Sequence, residues 1–165
     1  RAVLIEGEEY WDGGYSGNPA LMPLVLSNES ADILIVQINP VVRHETPRSA
    51  REIINRVNEI SFNSSLIKEL RAIHLMQQMI DAKGIDLGAI GQTNLHLIHT
   101  DPEVQNLSAS SKSNAEWEYL AHLFDLGRNW ADGWLDAHFD AIGKHSTLDL
   151  DTLFADPAVE VPEGV

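Results

Sequence analysis

The run Asp32-Ile33-Leu34-Ile35-Val36-Gln37-Ile38-Asn39-Pro40 limits what this chain can fold into more than any other segment. Its apolar residues are continuous rather than alternating, and Asn-Pro ends them. That pattern suits a strand buried on both faces of a parallel sheet. The preceding residues supply a candidate partner: Arg1 to Glu6 reads as a strand, and Pro19 to Leu26 as the helix that connects the two. A right-handed βαβ unit of this kind brings Asn39, at the end of the second strand, to the same sheet edge as the residues following the first. The expected fold class is α/β.

Those residues are Tyr10-Trp11-Asp12-Gly13-Gly14-Tyr15-Ser16-Gly17-Asn18-Pro19-Ala20-Leu21. Asp12 falls just past the predicted strand, where open α/β sheets collect catalytic groups. Gly13 and Gly14 permit a tight reversal with positive φ and the close approach of another backbone or a substrate. Asn18 is placed to cap the following helix, with Pro19 at its first position. Trp11 and Asn39 are the residues expected to line a pocket beside Asp12. Asp-Gly-Gly is also a common turn sequence, and read that way Asp12 only shapes the chain. Ser16 lies in the same turn without an elbow of its own and is read as a loop hydroxyl.

Taken with Arg51 to Leu66, Ser110-Ser111-Lys112 and Leu126-Gly127-Arg128, the Asp-Gly-Gly segment resembles the carboxy-terminal region of a bacterial branch of the patatin-like phospholipases. The resemblance implies a three-layer α/β/α fold. Residues 1–48 would be the carboxy-terminal part of the catalytic α/β domain, 49–155 a mainly helical region packed on it, and 156–165 a tail. It also implies that Asp12, supported by Gly13 and Gly14, is the carboxylate of a Ser-Asp dyad that hydrolyses lipid or other acyl esters through an acyl-enzyme. Burial beside Tyr10 and Trp11 would raise the proton affinity of Asp12, so that it takes the serine proton without a histidine. The family's glycine-rich oxyanion loop and Gly-x-Ser-x-Gly elbow are absent, since no serine here sits in that pentapeptide. The expected partner is therefore an amino-terminal part of the same protein, and the segment alone is expected to be inactive. A chain that starts at Arg1, directly ahead of a strand, fits a cut inside a folded unit. No cofactor is implied. The alternative is a non-enzymatic α/β interaction module, in which Asp12 is a turn residue and the helical half binds a partner protein.

Beyond Pro40 the pattern turns helical. Arg43, His44, Arg48 and Arg51 make a basic stretch that could meet a phosphate or headgroup, although such clusters more often answer neighbouring acids. Ser49 with Glu52 forms a capping box ahead of Ile53, Ile54, Val57 and Ile60, continuing through Leu66, Leu70, Ile73 and Met76 to a stop at Gly84. The polar group Asn63 to Ser65 reads as a kink or a second cap. Leu95 to His99 is a candidate strand whose His96 and His99 face opposite sides, so no metal site is expected. Ser113 with Glu116 opens a last long helix with a stripe through Trp117, Leu120, Ala121, Phe124, Ala131, Trp134, Leu135, His138 and Ile142, ended by Gly143. Its acids, Glu118, Asp125, Asp132, Asp136 and Asp140, fall on a solvated face.

The net charge of −14 disfavours nucleic acid and anionic membranes as partners. Without cysteine there are no disulfides and no thiolate chemistry. No apolar stretch reaches the roughly 20 residues that span a bilayer, so membrane contact is at most peripheral. The expected location is the bacterial cytoplasm, with an upstream targeting signal left open.

Overall fold

The computed structural model describes residues 2–27, 31–43, 45–99, 111 and 114–155. It is a mixed α/β structure with small sheets and long helices. Arg1, His44, Asp101, Ser110, Lys112, Ser113 and the tail from Asp156 lie outside the described residues.

The first strand corrects the βαβ expectation. β1 (Val3–Ile5) pairs antiparallel with β2 (Glu8–Tyr10), and every residue of this hairpin is exposed. The cause is local: Glu6 and Gly7 both take positive φ, 51° and 88°, the two-residue reversal whose twist suits a hairpin. Asp12 therefore follows a hairpin instead of a buried parallel strand.

β3 (Asp32–Gln37) pairs in parallel with β4 (Asn94–His99), from Asp32 opposite Asn94 to Gln37 opposite His99. The connection runs through α2 (Ala50–Lys83) and the short α3 (Ala89–Gln92). Ile35 and Leu95 point into a core built with Leu21 and Val25 from the segment before β3, Leu66, Leu70 and Ile73 of α2, Ile90 of α3, and Leu150 near the end of the described chain. On the opposite face, His96 meets the Trp134 ring edge-on at 5.6 Å. That tryptophan belongs to α4 (Trp117–His138), so helices flank both faces of the two strands. Burial of β3 on both faces is not observed: Leu34 and Val36 are exposed, Val36 by 63%, and no second strand covers the other edge of β3 among the described residues.

α1 (Met22–Ser27) begins three residues later than predicted. The Asn18-Pro19 bond is cis, and the Asn18 N–H donates to Ser65 Oγ at 2.9 Å. The opening amides of Leu21 and Met22 donate instead to Glu69 Oε2, at 2.5 and 2.8 Å, so α2 supplies the acceptor that Asn18 was expected to provide.

α2 is a single helix of 34 residues, about 50 Å long. Both halves of the Ser49/Glu52 capping box form, and Gly84 closes the helix at φ 63°, donating its N–H to Ile80 O. Ser49→Ala is expected to lower stability by about 1 kcal/mol, read as a shift of the urea midpoint. The predicted break at Asn63 to Ser65 does not interrupt the helix.

Its two halves bury different chemistry. Leu66, Leu70 and Ile73 enter the core, but in the first half Glu59 and Asn63 are buried while Ile53, Ile54, Val57 and Ile60 are exposed. At 100° per residue, Ile53, Val57 and Ile60 lie roughly 100–160° around the axis from Glu59. The predicted stripe thus meets the core in the second half of α2 and faces away from it in the first.

α4 keeps part of its predicted stripe: Ala121, Ala131, Trp134 and His138 are half-buried, joined by Tyr119, Leu123, Leu126 and Trp130, whereas Trp117, Leu120, Phe124 and Leu135 are exposed, and no residue of the helix is fully buried. The five acids are all exposed, as expected. The helix ends at His138, earlier than predicted. A 3-10 turn, Phe139–Ala141, then leads to Gly143 at φ 75°. α5 (Leu150–Ala155) packs on α2, and Asp149 holds its start by accepting from the Thr152 N–H and O–H. No described helix is long and apolar enough to cross a membrane.

Candidate functional site

Asp12 stands at the head of a 3-10 turn, Gly13–Tyr15. Its Oδ1 accepts the Gly14 N–H at 2.8 Å, and Gly13 O accepts the N–H groups of Ser16 and Gly17, closing the loop. Neither Gly13 nor Gly14 has positive φ, which corrects the expected reason for the glycine pair. Close approach does explain Gly14. A Cβ there would lie 2.9 Å from Phe62 Cε1 and 3.1 Å from Asp12 Oδ1, whereas one on Gly13 would meet nothing.

The loop stands on α2 through rings. Tyr15 meets Phe62 at 5.2 Å, and Trp11 leans on Tyr15 at 5.9 Å. Trp11 is 78% exposed and stacks outward, so it does not bury Asp12, whose carboxylate faces solvent. The expected desolvation of Asp12 by its neighbours is not furnished by the described residues.

Asn39 is held on the same stretch of α2. Asn63 Nδ2 donates to the carbonyls of Pro40 and Asn39, at 2.9 and 3.4 Å. With Phe62 under Gly14 and Ser65 binding Asn18, this short stretch of helix gathers the Asp12 loop, the cis-proline segment and the end of β3. A groove of about 450 Å³ runs between the cis-proline segment and the end of β3, lined by Asn18, Pro19, Ile38, Asn39 and Asn63 among others; Asn39 lines it as expected, but Trp11 and Asp12 do not. The polar residues that look like a helix break in the sequence are what tie these loops down.

Arg43 is answered by an acid, as clustered bases usually are. Its guanidinium grips Glu59 through three contacts of 2.6, 2.9 and 3.2 Å, with Arg56 adding a fourth at 3.3 Å. Burial opposes ionisation of Glu59, but the hydrogen bonds and charge of Arg43 and then Arg56 outweigh it and hold the carboxyl below its usual range.

A second polar cluster escaped the sequence reading. His96 is 1% exposed, with Nε2 2.9 Å from Asp32 Oδ1 and Nδ1 2.9 Å from Thr147 Oγ1. Asp32 Oδ1 also accepts from the Gly143 N–H and from Asn94 Nδ2. The His96 hydrogen bond, followed by that of Gly143, holds the Asp32 carboxyl below its ordinary value. An ionised Asp32 needs donors, so Nε2 carries a proton and, in the neutral ring, the Thr147 hydroxyl donates to Nδ1. Carboxylate, imidazole and hydroxyl follow the order of a hydrolase triad. The local amides argue against catalysis, because the N–H groups of Thr147 and Leu148 both donate to Leu95 O and leave no oxyanion donors there. The cluster is a clasp joining β3, β4 and the turn after α4. No spacing rule links residues 32, 96 and 147, so nothing in the sequence announces it.

Among the described residues, no three His, Asp or Glu side chains gather in a way that could hold a metal ion. The chain matches no protein-family model, no curated protein and no solved structure.

Proposed function

We propose that this chain is the carboxy-terminal part of a patatin-like serine lipid acyl hydrolase, in which Asp12 is the base of a Ser-Asp dyad. The nucleophile and oxyanion loop lie on an amino-terminal part that completes a three-layer α/β/α fold. The observation that carries this reading is the Asp12 loop: a carboxylate exposed at the head of a turn, one oxygen anchored by Gly14, the whole fixed to α2 by Tyr15, Phe62 and Ser65. The apolar surface left open on the first half of α2, at Ile53, Ile54, Val57 and Ile60, fits a chain that packs against a complementary part. Docking that part over Asp12 supplies the desolvation that the hairpin does not, and a desolvated carboxylate is the stronger base. Asp12 takes the serine hydroxyl proton as the oxygen attacks the ester carbonyl. As the ester C–O bond breaks, Asp12 returns that proton to the departing alkoxide; water then attacks the acyl-enzyme while giving a proton to Asp12, which passes it to the serine oxygen as the acid is released. Such an enzyme would work in the bacterial cytoplasm, touching membranes at most peripherally.

The exposed apolar face of α2 serves a non-enzymatic interaction module equally well, and serine reactivity separates the two readings. A fluorophosphonate probe is expected to leave the isolated chain unlabelled and to mark one serine of the amino-terminal part in the assembled protein. Labelling at Ser16, or an assembled protein with no reactive serine, contradicts the proposal.

A further inference from the structure

A cavity of about 520 Å³ opens at the carboxy-terminal edge of β3 and β4, beneath α4. Small-molecule sites of α/β sheets occupy this edge, and the volume lies in their usual range. Asp12 is not among the residues that line it. The walls are apolar and come from three directions: Val36, Ile38 and Pro40 from β3 and its end, Ile98 from β4, and Leu123 and Trp130 from α4. α4 stands off the sheet with no residue fully buried, leaving Val36 and Ile38 more than 60% exposed toward this space. Covering such apolar surface is favourable.

The polar groups at the cavity discriminate against charge. Arg43, the cation in the lining, is engaged by both carboxylate oxygens of Glu59. His99 is exposed, and partial desolvation against the protein lowers its imidazole from the ordinary range, disfavouring a positive charge there. The other polar residues of the lining, among them Gln37, Asn39, Ser111 and Tyr119, carry no positive charge. An anionic head would meet a neutralised arginine in a chain of net charge −14.

We infer that this cavity binds an uncharged alkyl chain, such as a medium-chain alcohol or the hydrocarbon arm of a neutral ester, and rejects the corresponding carboxylate. Gly127 provides the test. It lines the cavity, and a Cβ there would meet nothing within 4 Å, so the position has room for a side chain at the cavity wall. Because Gly127 lies within α4, the change also raises helix propensity.

The experiment follows Nile red, an uncharged dye, on the full 165-residue chain, with displacement by 1-dodecanol or by dodecanoate. Displacement by 1-dodecanol is expected at concentrations roughly tenfold or more below those needed for dodecanoate, since a carboxylate entering this site goes unpaired. Gly127→Leu is expected to keep or raise Tm while weakening the alcohol roughly tenfold or more. Ala131→Leu, on the same wall, serves as a second blocking variant. Equal potency of the two competitors overturns the preference for a neutral ligand. Undiminished binding in both folded variants overturns the site, because the dye is then held on other exposed apolar surface. These readouts are binding and stability, so they fail or succeed independently of turnover at Asp12.

Discussion

Asp12→Asn, assayed with the amino-terminal part present, is expected to lower acyl-ester turnover by about 10²- to 10⁴-fold, the range a positioned general base supplies. The loss should fall on kcat with KM nearly unchanged, because the carboxylate acts on the serine proton and not on the ester's binding contacts. The turn itself should survive, since an asparagine carbonyl can accept the Gly14 N–H that Oδ1 now accepts at 2.8 Å. Stopped assays with a neutral chromogenic ester, together with circular dichroism, check both halves of this statement. Turnover within a few-fold of the parent would remove Asp12 from the mechanism.

His96→Ala should be among the most destabilising single changes, costing about 3 kcal/mol by urea denaturation. The ring is 1% exposed, joins Asp32 to Thr147 and packs under Trp134, so truncation removes two hydrogen bonds and opens a cavity together. Asp32→Asn should cost less, because its carbonyl can still accept from His96 and Gly143. It should instead change the acid limb. The Asp32 carboxyl is depressed in the folded state by His96 and Gly143, so its contribution is complete above the unfolded value near pH 4 and is lost as pH falls through the lower folded value. Removing that group makes stability fall less steeply below about pH 4. An unchanged acid limb would show that the clasp does not titrate on unfolding.

Local rules read from residues 49–84 survived folding. The Ser49/Glu52 box and Gly84 stop depend on groups within one helical turn, and the sequence carries all of them. β3 and β4 were legible for a similar reason, as short apolar runs bounded by turn signals. The hairpin was missed because Glu6-Gly7 is a weaker turn signal than Asn-Gly, and the apolar content of Val3 to Ile5 suggested burial.

Of the site, the sequence showed Asp12 and the glycines but not their setting. That Gly14 is required by Phe62 and that Asn63 and Ser65 hold loops rather than break a helix both depend on contacts tens of residues apart. The clasp at Asp32, His96 and Thr147 spans more than a hundred residues.

By itself the sequence determined that β3 and β4 are strands, that α2 and α4 are helices, and where α2 starts and stops, because propensity, capping and periodicity act within a few residues. Only the tertiary structure decided which face of each helix meets the core. On α2 and α4 apolar residues occupy more than one face, so periodicity allows several rotations. The choice falls to long-range partners: Arg43 and Pro40 draw Glu59 and Asn63 inward on α2, and His96 draws Trp134 inward on α4.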